Sequence, residues 1–155
     1  VESAVSDTIV IGLGSPLMSD EGVGVHLVRR LSTLGPYGPG VDFLDLGTSG
    51  ARILHAIVGR KRAIFIDCAF MGEKPGTIRR FTPDDVDSVK KLPRMSLHEG
   101  DLLQFIELSR KLGECPDEVI IFGIQPGDLS VGEALSTTLA DRMDEYIRSI
   151  AAELG

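Results

Sequence analysis

The sequence predicts an α/β fold, a three-layer sandwich in which a twisted, mostly parallel five-stranded sheet lies between helices on both faces. Short β-branched, apolar runs recur five times along the chain, and segments with apolar residues at helical spacing separate them. Such alternation is the pattern of strands joined by helical crossovers. A length of 155 residues suffices to bury a core as one domain, residues 1–155, without disulfides or a structural metal.

The first strand is TIVIGL, Thr8 to Leu13. GLGSPLMSDEG, Gly12 to Gly22, carries it into a helix from Gly22 to about Leu34, with Val23, Leu27, Leu31 and Leu34 on one side and Arg29 and Arg30 turned outward. Gly35 and Pro36 end that helix. Val41 to Leu46 is the second strand, and GTSGARILHAIVG, Gly47 to Gly59, offers a capped start and an apolar stripe of Ile53, Leu54 and Ile57 for a short second helix. Ala63 to Ile66 is a third, interior strand. Turn chemistry in GEKPGTIRRFTPDD surrounds a strand at Thr77 to Phe81 and reads as an edge hairpin. A helix over Asp101 to Leu112, a strand over Glu118 to Phe122 and a C-terminal helix carrying Ala134, Leu135, Leu139, Met143, Ile147 and Ile150 complete the order.

The formal net charge of -7, with no basic cluster, argues against a nucleic-acid or anionic-membrane partner. No apolar run approaches the roughly 20 residues that span a bilayer, and VESAVSD lacks the features of a leader. The chain is therefore expected to be cytoplasmic. Cys68 and Cys115, far apart and in no Cys-x-x-Cys pattern, are expected to remain reduced.

Ligands of doubly wound sheets bind beyond the carboxyl ends of the strands, which directs attention to three positions. After the first strand the loop has the glycines of a nucleotide-binding turn, but Leu17 stands where a dinucleotide fingerprint has its third glycine. Asp20 and Glu21 stand where a phosphate would sit. Ser19 or Asp20 could cap the helix; a second acid is less simply explained. Asp67 interrupts the apolar run AIFIDCAF, where a charge is costly unless paired or bound to a cation. His98, in MSLHEGDLL, precedes a helix. Glu21, Asp67 and His98 together make an open site for a divalent transition metal. Strand alternation sends Cys68 to the face opposite Asp67, and His26 and His55 read as structural or surface residues.

IGLGSPLMSDEGVG, DLGTSG, IFIDCAFMGEKPGTIRRFTPDD, SLHEGDLL and IFGIQP occur in the order found in the hydrogenase maturation endopeptidases, which the chain resembles over nearly its whole length. Those enzymes trim the C-terminal extension of nickel-iron hydrogenase large subunits after nickel insertion. The resemblance implies a five-stranded sheet between helices and assigns Glu21, Asp67 and His98 as the catalytic, metal-contacting set. It also implies that the nickel is supplied by the substrate, with no tightly bound cofactor of the chain's own, and that the partner is the large-subunit precursor, met by a monomer. Two positions depart from the family pattern: Ser15 replaces a common asparagine, and Leu46 a common second glycine. No serine- or cysteine-protease order and no His-Glu-x-x-His helix is present. A nickel-sensing docking module that cuts nothing would share every ligand, and a nucleotide-binding protein is suggested by GLGS alone.

Overall fold

The computed structural model describes residues 5–35, 37, 40–85, 94–95 and 102–154. Five strands form the main path of its sheet, in the order β2-β1-β3-β6-β4: β1 (Thr8–Leu13), β2 (Val41–Gly47), β3 (Arg62–Phe70), β4 (Ile78–Phe81) and β6 (Glu118–Ile124). The contacts of β1 with β2 and β3, and of β3 with β6, are parallel; β4 runs antiparallel along β6. A two-residue strand, β5 (Arg94–Met95), pairs antiparallel with the end of β3 and was not foreseen.

Alternation along the strands divides the interior into two apolar layers. Ile9, Ile11, Leu13, Ala63, Phe65, Ala69, Val119 and Ile121 face α2 (Arg52–Ile57) and α3 (Leu102–Lys111). Val10, Ile64, Ile66, Cys68, Ile120, Phe122 and Ile124 face α1 (Val23–Leu34), the short α4 (Thr137–Ala140) and α5 (Met143–Leu154). Helices thus cover both faces of the sheet, as the sequence pattern requires. Each Ile, Leu or Phe sealed in these layers contributes roughly 1.5–3 kcal/mol relative to exposure.

Three expectations are corrected. β4 is an edge strand but not half of a hairpin, because β6 lies between it and β3. The C-terminal helix is two helices: the Arg142 amide bonds the Leu139 carbonyl three residues back, a local tightening that separates α4 from α5. Leu34, assigned to the buried stripe of α1, is exposed, whereas Val23, Leu27 and Leu31 are fully buried.

Glycines set how closely α1 approaches the sheet. A Cβ on Gly24 would lie 2.1 Å from the Ile66 carbonyl oxygen and 2.8 Å from that of Leu13, and one on Gly12 would lie 2.4 Å from the Gly24 carbonyl oxygen. The first turn of α1 therefore rests directly on the carboxyl ends of β1 and β3. Glu21, three residues before Gly24, is carried there with it.

Candidate functional site

Four loops meet at the carboxyl edge of the sheet, and hydrogen bonds join them. After β1, the Gly14 amide bonds the Gly47 carbonyl at 2.8 Å, tying the GLGS turn to the loop after β2; Gly14 and Gly47 both adopt left-handed φ, which glycine permits. After β3, the Gln125 side-chain oxygen accepts the Met71 amide at 2.7 Å, while the Gly76 amide bonds the Gln125 carbonyl at 2.8 Å. The buried Tyr146 of α5 donates its hydroxyl to the Gly76 carbonyl at 2.6 Å, and burial pushes its pKa up to about 12. Gln125, in GIQP, thus fixes the loop between β3 and β4.

The tightest junction centres on Asp20, which is fully buried. Its carboxylate accepts the amides of Gly127 and Asp128 at 2.8 Å each, the Ser136 amide at 2.7 Å and the Ser136 hydroxyl at 2.8 Å. Ser136 caps α4 in turn, its side chain accepting the Leu139 amide. Beside this knot, Ser19 donates its hydroxyl to the Ser130 carbonyl at 2.7 Å and its amide to the Gly132 carbonyl at 2.8 Å. Ser19 has a φ of 50°, the only positive value for a non-glycine among the described residues. Such strain persists where surrounding structure over-determines it.

The expected helix capping by Ser19 or Asp20 is therefore overturned. Neither the 3-10 turn Ser19–Gly22 nor α1 has a side-chain cap, because both side chains reach across to the loop after β6. No side chain caps α2 either, against the capped start expected of GTSG.

Glu21 is 8% exposed and Asp67 0%. Glu21 arrives on the 3-10 turn that lies against β3, and Asp67 sits near the end of β3, opposite Gly123 of β6. Both carboxylates, with Asp20, bear electrostatically on Cys68: burial first, then the charges of Asp67, Glu21 and Asp20, push the thiol far above its ordinary pKa. Cys68 lies in the apolar layer opposite Asp67, as alternation required. It is a buried core thiol, and burial is the common lot of a free cysteine. Both cysteines are free.

The structure thus brings Glu21 and Asp67 to one strand end. His98, the third member of the set, lies outside the described residues, and among those described no group of three His, Cys, Asp or Glu side chains is placed to hold a metal ion. Two buried carboxylates offer hard oxygen donors to a metal and, in their ionised form, a base. Nucleotide binding fares poorly: the amides of Gly14 and of Leu17 through Glu21 all donate within the protein, to Gly47, Ser15, Gly132, Asp128 or Met18, leaving no nest for a phosphate. His55 is exposed on α2. His26 of α1 is half-buried, near Glu133, Arg29 and Asp45, with its Nε2 buried and without a hydrogen-bond partner.

Sequence reasoning missed Asp20 as a cross-loop anchor, Gln125 as a loop organiser and Gly24 as a contact point. Only Gly24 had a legible signal, since glycine within a helical pattern costs stability unless packing requires it.

The hydrogenase maturation protease family model matches residues 25–153. The hydrogenase expression/formation protein HupD of Rhodobacter capsulatus is 31% identical over 94% of this chain and 70% of its own length. HoxM of Cupriavidus necator is 30% identical over 78% of this chain, which spans 60% of HoxM. An Escherichia coli endopeptidase solved in solution superposes with a TM-score of 0.82 at 25% identity, covering 95% of this chain and 91% of that one.

Proposed function

The chain belongs to the hydrogenase maturation protease family, and from that premise we propose that it is the endopeptidase that removes the C-terminal extension of a nickel-loaded nickel-iron hydrogenase large-subunit precursor. The observation that carries the reading is the pair of buried carboxylates, Glu21 and Asp67, delivered to one strand end by rigid elements. Burying two acids together is costly in a protein with no use for them. A cation brought by a partner offsets that cost.

In this reading the nickel is part of the substrate. Glu21, Asp67 and His98 complete the coordination of an ion already held by precursor cysteines, so three protein ligands are enough. Docking brings the scissile peptide beside the metal, which can polarise its carbonyl or activate a water, with one carboxylate as base. The bonds of Ser19 and Asp20 to the loop after β6 hold the turn that carries Glu21 in place before docking, so little ordering entropy is lost there on binding.

The test is incubation of the purified chain with nickel-loaded and nickel-free precursor, followed by mass measurement. Loss of a C-terminal peptide from the nickel-loaded form alone is the expected result. Binding of the loaded precursor without any mass loss would identify a docking module instead, and equal cleavage of both forms would remove nickel from the recognition step.

A further inference from the structure

Beside the candidate site lies an apolar feature that carboxylate chemistry does not use. Leu17 is 59% exposed and Val131 is 85% exposed. Exposed apolar side chains scattered singly need no explanation. These two are not scattered. Met18 and Gly132 form a parallel bridge, the Gly132 amide donates to the Leu17 carbonyl at 2.9 Å, and the Ser19 amide donates to the Gly132 carbonyl at 2.8 Å. The paired segments therefore set Leu17 and Val131, each one residue before a bridged position, next to one another.

The two segments are also held firmly. Asp20 binds the loop after β6 through four hydrogen bonds, and the strained Ser19 adds its own hydroxyl bond to Ser130. Two exposed apolar side chains are thus carried on a preorganised backbone, so little main-chain freedom remains to be lost on docking. They are continuous with the site: Leu17 is four residues from Glu21, on the same loop. A macromolecule whose metal reaches Glu21 must cover the surface beside that loop. Two exposed acids, Asp128 and Glu133, flank Val131 in sequence and make the segment that carries it acidic.

We infer that Leu17 and Val131 form the apolar anchor on which the large-subunit precursor docks, through an apolar contact with a basic surround next to its nickel-bearing segment. This rests on the processing role proposed above.

The test measures both binding and cleavage of nickel-loaded precursor by the wild type and by the double variant Leu17→Ser/Val131→Ser. Both side chains are exposed, so the melting temperature should hold, and both the dissociation constant and KM should rise about 10-fold or more. Unchanged binding in the double variant overturns the anchor while wild-type cleavage leaves the processing role standing. If the wild type binds precursor without cutting it, the processing role falls, and the binding comparison still decides the anchor. No binding by the wild type overturns both. Sedimentation of the two proteins covers the remaining occupant: self-association of the wild type that the double variant loses would make the patch a contact between copies and overturn the inference.

Discussion

Four donors converge on the Asp20 carboxylate, two of them from Ser136. Asp20→Ala strands these donors and releases the loop after β6 from the loop that carries Glu21. The expected cost is about 2–4 kcal/mol, since each buried donor left unsatisfied costs roughly 1–3 kcal/mol and the exposed Gly127 and Asp128 amides recover some hydration. Precursor processing should fall with it. A simple cap would cost only about 0.5–2 kcal/mol and spare activity, so denaturant unfolding and a processing assay on one variant separate the two roles. The sequence placed two acids here but could not divide their duties, because the partners of Asp20 lie more than a hundred residues away. His26 supplies a pH dependence. Burial, then the charge of Arg29, lower its pKa below 6.5, against opposing contributions from the Glu133 backbone and Asp45. The unfolded chain therefore takes up a proton that the folded chain refuses. The contribution is complete above pH 6.5 and is lost as pH falls toward the depressed folded value. Thermal melts should decline from pH 7 to pH 5, and His26→Gln should flatten that decline; an unaltered slope would show that other groups govern it. Asp42, held below its ordinary range chiefly by the hydrogen bond from Arg60, acts in more acid solution.

At the level of elements, α1 and its glycines decide where the site forms. By helix propensity alone, Gly24→Ala should stabilise the protein by about 1 kcal/mol. The contact at the Ile66 carbonyl reverses the sign: the added methyl forces α1 off the sheet, for an expected loss of about 1–3 kcal/mol. Processing should fall because Glu21 shifts with the helix. Chemical denaturation gives the sign directly, and a more stable variant would refute the close approach. The strands were legible because interior parallel strands must be apolar on both sides, which makes TIVIGL and the runs in β3 and β6 stand out. The division between α4 and α5 was not, since Leu139, Met143 and Ile150 join the same apolar layer and keep helical spacing across the break. The partner of β4 was equally hidden. Turn residues announce a change of direction, but nothing local says that β6, some forty residues later, will lie between β3 and β4.

Over the whole molecule, one geometrical rule made the site readable: the first three parallel strands point their carboxyl ends the same way, so residues following them must share an edge. That rule directed attention to Asp67, because it interrupts an apolar run, and to Glu21, because it is a second acid where one would suffice as a cap. The scaffold that holds them was not found, because it consists of side-chain to backbone bonds between distant loops, which leave no periodicity in the sequence. The central claim is that these two carboxylates act on the substrate's nickel. It is tested most directly by timing the cleavage of nickel-loaded precursor by the wild type, Glu21→Gln and Asp67→Asn, each shown to be folded by its melting curve. Both substitutions preserve size and remove charge. The account expects folded variants whose processing is slowed about 100-fold or more, the scale of a lost acid-base or ligand group; folded variants that trim the precursor at the wild-type rate would contradict it.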